Sequence, residues 1–155
     1  MEEETRELER TVVRQLEPDD LGAVIALDAR IVGRRRDNYF QVKLQQNLAE
    51  TGVKISLAAE RDGCFCGFLL ARVFYGEFGL LAPTAVLDTL GVHPDFRKQG
   101  VGTALVQQLR LNLSGLGVSR LQTEVDWTNQ ELLAFFHREG FSMAQRICLE
   151  VDLSA

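Results

Sequence analysis

The residues whose types and spacing carry the most chemistry are Arg97-Lys98-Gln99-Gly100-Val101-Gly102. The glycines let the backbone approach a ligand closely and turn its N–H groups outward, and the arginine and lysine add full positive charges. The segment lies between a strand-like run and an amphipathic run of helical period, so a helix N-terminus adds partial positive charge at the same place. A diphosphate is the anion such a loop suits. Two other glycine-loop chemistries fail on spacing. A G-x-G-x-x-G dinucleotide fingerprint would put a small residue where Leu105 stands, and a P-loop needs lysine directly after its last glycine, where the chain has Val101 or Thr103.

The elements that must position this loop follow from periodicity and turn chemistry. Thr11 to Leu16 reads as a short strand, and Glu17-Pro18-Asp19-Asp20 as a helix start with proline and acids in its first turn. Leu21, Val24, Ile25 and Asp28 keep helical spacing towards a stop at Gly33. Asp37 to Ala49 predicts a second helix, with Tyr39, Val42 and Leu48 among its apolar positions. Lys54 to Glu60 and Cys64 to Phe74 predict an antiparallel pair joined by Arg61-Asp62-Gly63, because Asp-Gly supplies the positive φ of a tight hairpin. Ala85 to Val92 is a further strand. Val101, Leu105, Leu109 and Leu113 recur every four residues with Val106 beside them, one apolar helix face for packing on a sheet. Leu121 to Val125 then alternates as a strand. Thr128-Asn129-Gln130-Glu131 matches a capping box, Gly140 ends the short helix it opens, and Phe141 to Leu153 is strand-like. This order predicts a mixed α/β (α+β) sheet fold.

Composition bounds the function. A chain of 155 residues, 46% hydrophobic and 25% charged, is expected to form a single globular domain, with the charge-rich residues 1–10 poorly ordered. No signal-like or bilayer-length apolar run is present in it, so no membrane role and a cytoplasmic location are expected. The net charge of -5 argues against a nucleic-acid partner. Three cysteines fit reduced thiols, with Cys64 and Cys66 on one strand face, and His93 and His137 lack paired-ligand spacing, so no metal is expected. The local basic run Arg34-Arg35-Arg36 reads equally as a solvated loop.

The segment from Leu87 to Phe141 resembles the core of GNAT acyltransferases. Their acyl-CoA loop has Arg or Gln, two residues, Gly, one residue, then Gly or Ala, met here by Arg97, Gly100 and Gly102. The preceding Leu87-Asp88-Thr89-Leu90-Gly91-Val92 with His93-Pro94 is also similar. So are Asn129, Phe136, Arg138, Gly140 and Phe141, in the places of the family's Asn, Tyr, Lys, Gly and Phe. The resemblance implies a central mixed sheet of six to seven strands flanked by about four helices. It implies an N-acetyltransferase that transfers acetyl from acetyl-CoA to an amine acceptor by direct attack, and GNAT proteins frequently form homodimers.

By the same resemblance Leu90, Gly91 and Val92 meet the pantetheine arm, Arg97, Lys98, Gln99, Gly100, Val101, Gly102 and Thr103 the pyrophosphate, and Asn129 the pantetheine or acyl end. Asn129 has a second reading as a helix-start residue facing solvent. Arg36 and Tyr39 fall on the acceptor wall; the three arginines suit an acidic acceptor, the 3'-phosphate of CoA, or solubility. An amine with pKa about 10.4 is neutral about once in 2,500 molecules at pH 7, a cost of roughly 4.6 kcal/mol, against about 1.4 for an amine near 8. The general-base candidates are Asp88, expected on the strand face of Leu90 and Val92, and Glu124; either reads equally as a solvated or salt-bridged carboxylate. Phe136 replaces the family's usual tyrosine acid, leaving Tyr39, Tyr75, His137 or solvent for that step. Two alternatives stand beside the enzyme: an acyl-CoA-binding sensor or partner module with little catalysis, and an α/β domain with no CoA site.

Overall fold

The computed structural model describes residues 2–3, 10–49 and 54–154, so the expectation for residues 1–10 lies mostly outside the described residues. Two compact units, Met1–Glu124 and Val125–Ala155, are described in turn.

The first unit is one sheet in the order β1-β2-β3-β4-β5, built from β1 (Thr11–Gln15), β2 (Leu57–Arg61), β3 (Cys64–Phe74), β4 (Thr84–Val92) and β5 (Arg120–Thr123). The first four strands pair antiparallel and β4–β5 pairs parallel, as expected for strands joined through a crossover helix. The β2–β3 hairpin closes on Asp62 and Gly63 at φ 51° and 77°, the left-handed pair that its turn chemistry predicts.

Among the described residues this unit carries the helices α1 (Leu21–Val32), α2 (Asp37–Ala49) and α3 (Val101–Gly115). A 3-10 turn, Pro18–Asp20, leads into α1, and Gly33 caps it at φ 81°. α1 buries Val24, Ile25 and Leu27 against a cluster with Phe40, Phe68 and Leu70. α3 buries the five residues its spacing singles out, Val101, Leu105, Val106, Leu109 and Leu113. The face of α2 differs from expectation. Phe40 and Leu44 are buried while Tyr39 and Val42 are exposed, and the side chain of Leu48 lies outside the described ones. The helix is turned by Phe40, whose ring meets Phe68 edge-on at 6.0 Å; burying each ring contributes about 1.5–3 kcal/mol.

Arg14 ties three elements together. Its two terminal nitrogens donate to both oxygens of Asp20 at 2.8 Å, and one also reaches Glu60 Oε1 at 3.3 Å. The Arg14 hydrogen bonds, helped by the Glu17 N–H, hold the Asp20 carboxyl below its ordinary value despite burial. A carboxyl depressed in the folded state contributes stability that is present above the unfolded value, near 3.9, and is lost as pH falls through the folded one. Unfolding by urea from about pH 6 down to about pH 2 should therefore show a loss of stability that is smaller in Asp20→Asn. Equal losses in both proteins would remove Asp20 from this role.

The second unit holds α4 (Gln130–Arg138). Its cap is Asn129, whose Oδ1 accepts the Leu132 N–H at 3.1 Å; Thr128 instead donates its hydroxyl to Asp126, so the expected Thr128–Glu131 box does not form. Residues 141–154 form neither helix nor strand, although Ile147, Leu149, Val151 and Leu153 alternate as a strand would, and all four are exposed. Alternation supplies an apolar face but no ladder partner, and among the described residues the sheet has five strands rather than six to seven.

Candidate functional site

The β4–β5 ladder runs from Thr84↔Arg120 to Leu87↔Thr123, and Thr123 Oγ1 closes its last rung by donating to Leu87 O at 2.8 Å. β4 continues to Val92, still paired with β3 on its other edge. From residue 88 onward β4 therefore offers backbone N–H and C=O groups along an edge that β5 has left, the geometry that takes an extended ligand as an added strand.

Asp88 and Glu124 are the first residues beyond the last rung on either side of this fork. Glu124 is exposed. Asp88 sits in a β-bulge: Leu70 pairs with Thr89 and Ala71 with Leu87, which leaves Asp88 as the extra residue. That corrects its expected face. Leu90 and Val92 pair with Leu69 and Gly67, and a Cβ on Gly67 would point at Val101 and Leu105 of α3. Asp88 reaches the opposite side, where its Oδ2 is buried and meets Lys43 Nζ of α2 at 2.5 Å, an ion pair outside hydrogen-bond alignment. Between them Gly91 packs on that same side, where a Cβ would come within 2.5 Å of the buried Phe68 ring.

The glycine loop lies at the far end of β4. Pro94–Phe96 form a 3-10 turn capped by His93, whose Nδ1 accepts the Asp95 N–H at 3.1 Å. Lys98 and Gly100 then take positive φ, 60° and 78°, and α3 opens with no side-chain cap. Its first internal bond is Ala104 N–H to Gly100 O at 2.9 Å, so helix geometry gives Val101 and Gly102 amides no internal acceptor. Arg61, only 6% exposed, donates to Gln99 O at 3.2 Å and Gln99 Oε1 at 2.8 Å, placing a buried cation beneath the loop. Helix N-terminus, Arg97, Lys98 and Arg61 concentrate positive potential at one place in an acidic protein.

The profile of the acetyltransferase (GNAT) family matches residues 8–141. The chain belongs to that family. The mycothiol acetyltransferase of Propionibacterium freudenreichii is 36% identical over 87 residues, 56% of this chain and 27% of that protein. The ribosomal protein bS18 alanine N-acetyltransferase of Escherichia coli is 31% identical over 84 residues, 54% of this chain and 52% of that protein. The chain thus spans about a quarter and about half of these relatives. Among solved structures, the aminoglycoside N-acetyltransferase AAC(6')-Iy in complex with CoA superposes with TM-score 0.77 at 19% identity, over 92% of this chain and 95% of that one. The bS18 alanine acetyltransferase of Escherichia coli gives 0.71 at 24%, over 87% and 79%. At these identities the likeness is one of fold.

The first unit places Asp88, Leu90, Gly91 and Val92 along β4, the 97–103 loop beyond its C-terminal end, and Glu124 just past the last rung on β5. The residues present fit coenzyme A: an open strand edge suits an amide-bearing arm, and outward N–H groups with three nearby cations suit a pyrophosphate. Arg36 is committed elsewhere. Its Nε and Nη2 donate to Asp28 at 2.8 and 2.6 Å, and its guanidinium stacks over Tyr39 and Phe40 at 4.9 and 5.3 Å. Arg35 pairs with Asp37. An open depression of about 520 Å³ is lined by Arg34 to Tyr39 and includes no residue of the fork. Asn129 spends its carbonyl on the α4 cap, and Phe136 is buried with Phe135 and Phe141 around it.

Lys43 and Arg61 went unread in the sequence. Lys43 is four residues beyond Tyr39, a helical spacing that could have drawn attention to it; nothing marks Arg61, which reads as a turn residue. Of the three cysteines only Cys66 is a packing residue; Cys148 is exposed. A bulge at Cys66 breaks the face it was expected to share with Cys64, burial pushes its thiol up to about 11, and Cys64 is exposed. Among the described residues no group of three or more His, Cys, Asp or Glu could hold a metal ion, and no helix is long and apolar enough to cross a membrane.

Proposed function

We propose that the chain is an N-acetyltransferase that moves an acetyl group from acetyl-CoA to a primary amine by direct attack. The observation that carries this reading is the fork: a strand edge that opens at Asp88 and ends at a cationic, glycine-containing helix start. Leu90, Gly91 and Val92 hold the pantetheine arm through their backbone and the 97–103 loop holds the pyrophosphate, while Asn129 keeps its assignment to the pantetheine or acyl end from the family's pattern alone. The bound thioester supplies an activated acetyl carbonyl. Asp88 accepts a proton from the incoming ammonium, with Glu124 as the alternative base, and a β4 backbone N–H stabilises the oxyanion. Tyr39, Tyr75, His137 or water returns a proton to the departing thiolate, since Phe136 has none to give.

Relatives named for N-acetylation of an alanine and of aminoglycosides support an amine acceptor. A cytoplasmic place, where acetyl-CoA and reduced thiols coexist, belongs to the same reading. So does a homodimer, in which a partner would cover the exposed apolar side chains of Ile147, Leu149, Val151 and Leu153. Buried Phe136 favours a second reading, an acyl-CoA-binding module with weak chemistry, which predicts binding without turnover over an amine panel.

Thermal unfolding with acetyl-CoA tests the donor site. At about a hundredfold above its dissociation constant the ligand should stabilise the protein by about 2.7 kcal/mol, a shift of a few degrees. Gly102→Asp puts a carboxylate in the first turn of α3, favourable to the helix but repulsive to a pyrophosphate, so the variant should fold and lose the shift. No shift in the wild type would remove the reading.

A further inference from the structure

We propose that Lys43 is a self-acetylation site, its ε-amine standing where an acceptor amine belongs. The inference rests on the acetyl-CoA reading above. Lys43 Nζ lies 2.5 Å from Asp88 Oδ2, and the two side chains are 26% and 24% exposed, sheltered yet reachable. Asp88 is the bulged residue directly after the last β4–β5 rung, so the pair marks the point where the strand edge opens. An amine and a carboxylate able to take its proton are thus already assembled beside the edge that holds the thioester arm. Their pairing within one molecule replaces the encounter that a diffusing acceptor needs.

The step needs no reagent beyond acetyl-CoA and releases one proton to water. Asp88 takes a proton from the Lys43 ammonium, and the neutral amine attacks the acetyl carbonyl carbon. The N–C bond forms as the C–S bond breaks; of the two protons the nitrogen loses, the one left after attack goes to the departing thiolate, and the one that Asp88 took passes to water. The products are Nε-acetyl-Lys43 and free CoA thiol. Acetylation removes the lysine's charge and ends its ion pair, leaving Asp88 to the ammonium of an external acceptor.

The chain has three lysines, Lys43, Lys54 and Lys98, which makes the test simple to read. The full chain is incubated with acetyl-CoA and no acceptor, and acetylation of each lysine-containing peptide is followed in time by mass spectrometry. Lys43 should be modified on the order of a hundredfold faster than the exposed Lys54, at a rate independent of protein concentration. Asp88→Asn should slow Lys43 about a hundredfold and leave Lys54 unchanged. Comparison of lysines within the wild type needs no variant to fold. A thermal shift with acetyl-CoA but Lys43 modified no faster than Lys54 overturns this proposal and leaves the donor site standing. Absence of the shift overturns both.

Discussion

Replacing Asp88 with asparagine should lower kcat/KM for acetyl transfer to an external amine by about 10²–10⁴-fold while leaving the acetyl-CoA thermal shift in place. The size follows from what a positioned base contributes. An acceptor of lysine-like basicity starts with a cost of roughly 4.6 kcal/mol for the neutral amine at pH 7, so removal of the proton acceptor falls on the step that is already dear. Asparagine keeps the shape of the bulged residue but cannot accept that proton. The shift persists because the proposed pantetheine and pyrophosphate contacts come from backbone groups of β4 and from the loop, away from the side chain. Glu124→Gln is the matched comparison, since Glu124 stands on the other side of the fork but is exposed. A loss concentrated in Glu124→Gln would transfer the base to that residue, and a loss below about threefold in both would leave the proton to water.

The choice between the two carboxylates could not be read from the sequence. Strand alternation puts Asp88 on the face of Leu90 and Val92, and only the pairing of Leu70 with Thr89 and Ala71 with Leu87 shows that one residue is extra. A bulge is a property of two strands in register, not of either alone. The face of α2 failed for a similar reason: its apolar residues lie all round the helix, and contact of Phe40 with Phe68 decides which are buried. Features written in short-range chemistry were legible. Asp62-Gly63 makes its left-handed hairpin, Gly33 its left-handed cap, and α3 its four-residue stripe, because each depends on residues within a turn or two. The loop was legible for the same reason, while Arg61, which reaches Gln99 from 38 residues away, was not. Asn129 and Thr128 are both good caps, so the choice between them depended on Asp126 capturing the threonine hydroxyl.

Arg36→Ala should cost about 3 kcal/mol of stability, the largest loss expected from any residue first read as a substrate contact. Asp28 is 4% exposed and depends on Arg36 for both of its oxygens, so truncation leaves a buried carboxylate without its counter-charge. Arg36 is itself partly exposed, which sets the estimate at the low end of the range for breaking a buried pair. The guanidinium also covers the Tyr39 and Phe40 rings, and Phe40 anchors α2 to the sheet. Lysine cannot reproduce two parallel donors, so Arg36→Lys should recover part of the loss. In an Asp28→Asn background the same Arg36→Ala change should cost much less, because the unpaired charge is already gone. Urea unfolding of the four proteins reads these differences directly. An acceptor contact would give the opposite pattern, with KM for the amine raised and stability unchanged in Arg36→Ala. Since both guanidinium nitrogens in the bidentate pair are spent on Asp28, the proposed acetyltransferase reading leaves acceptor contacts near α2 to Tyr39 and to the Lys43–Asp88 pair one turn further along the helix.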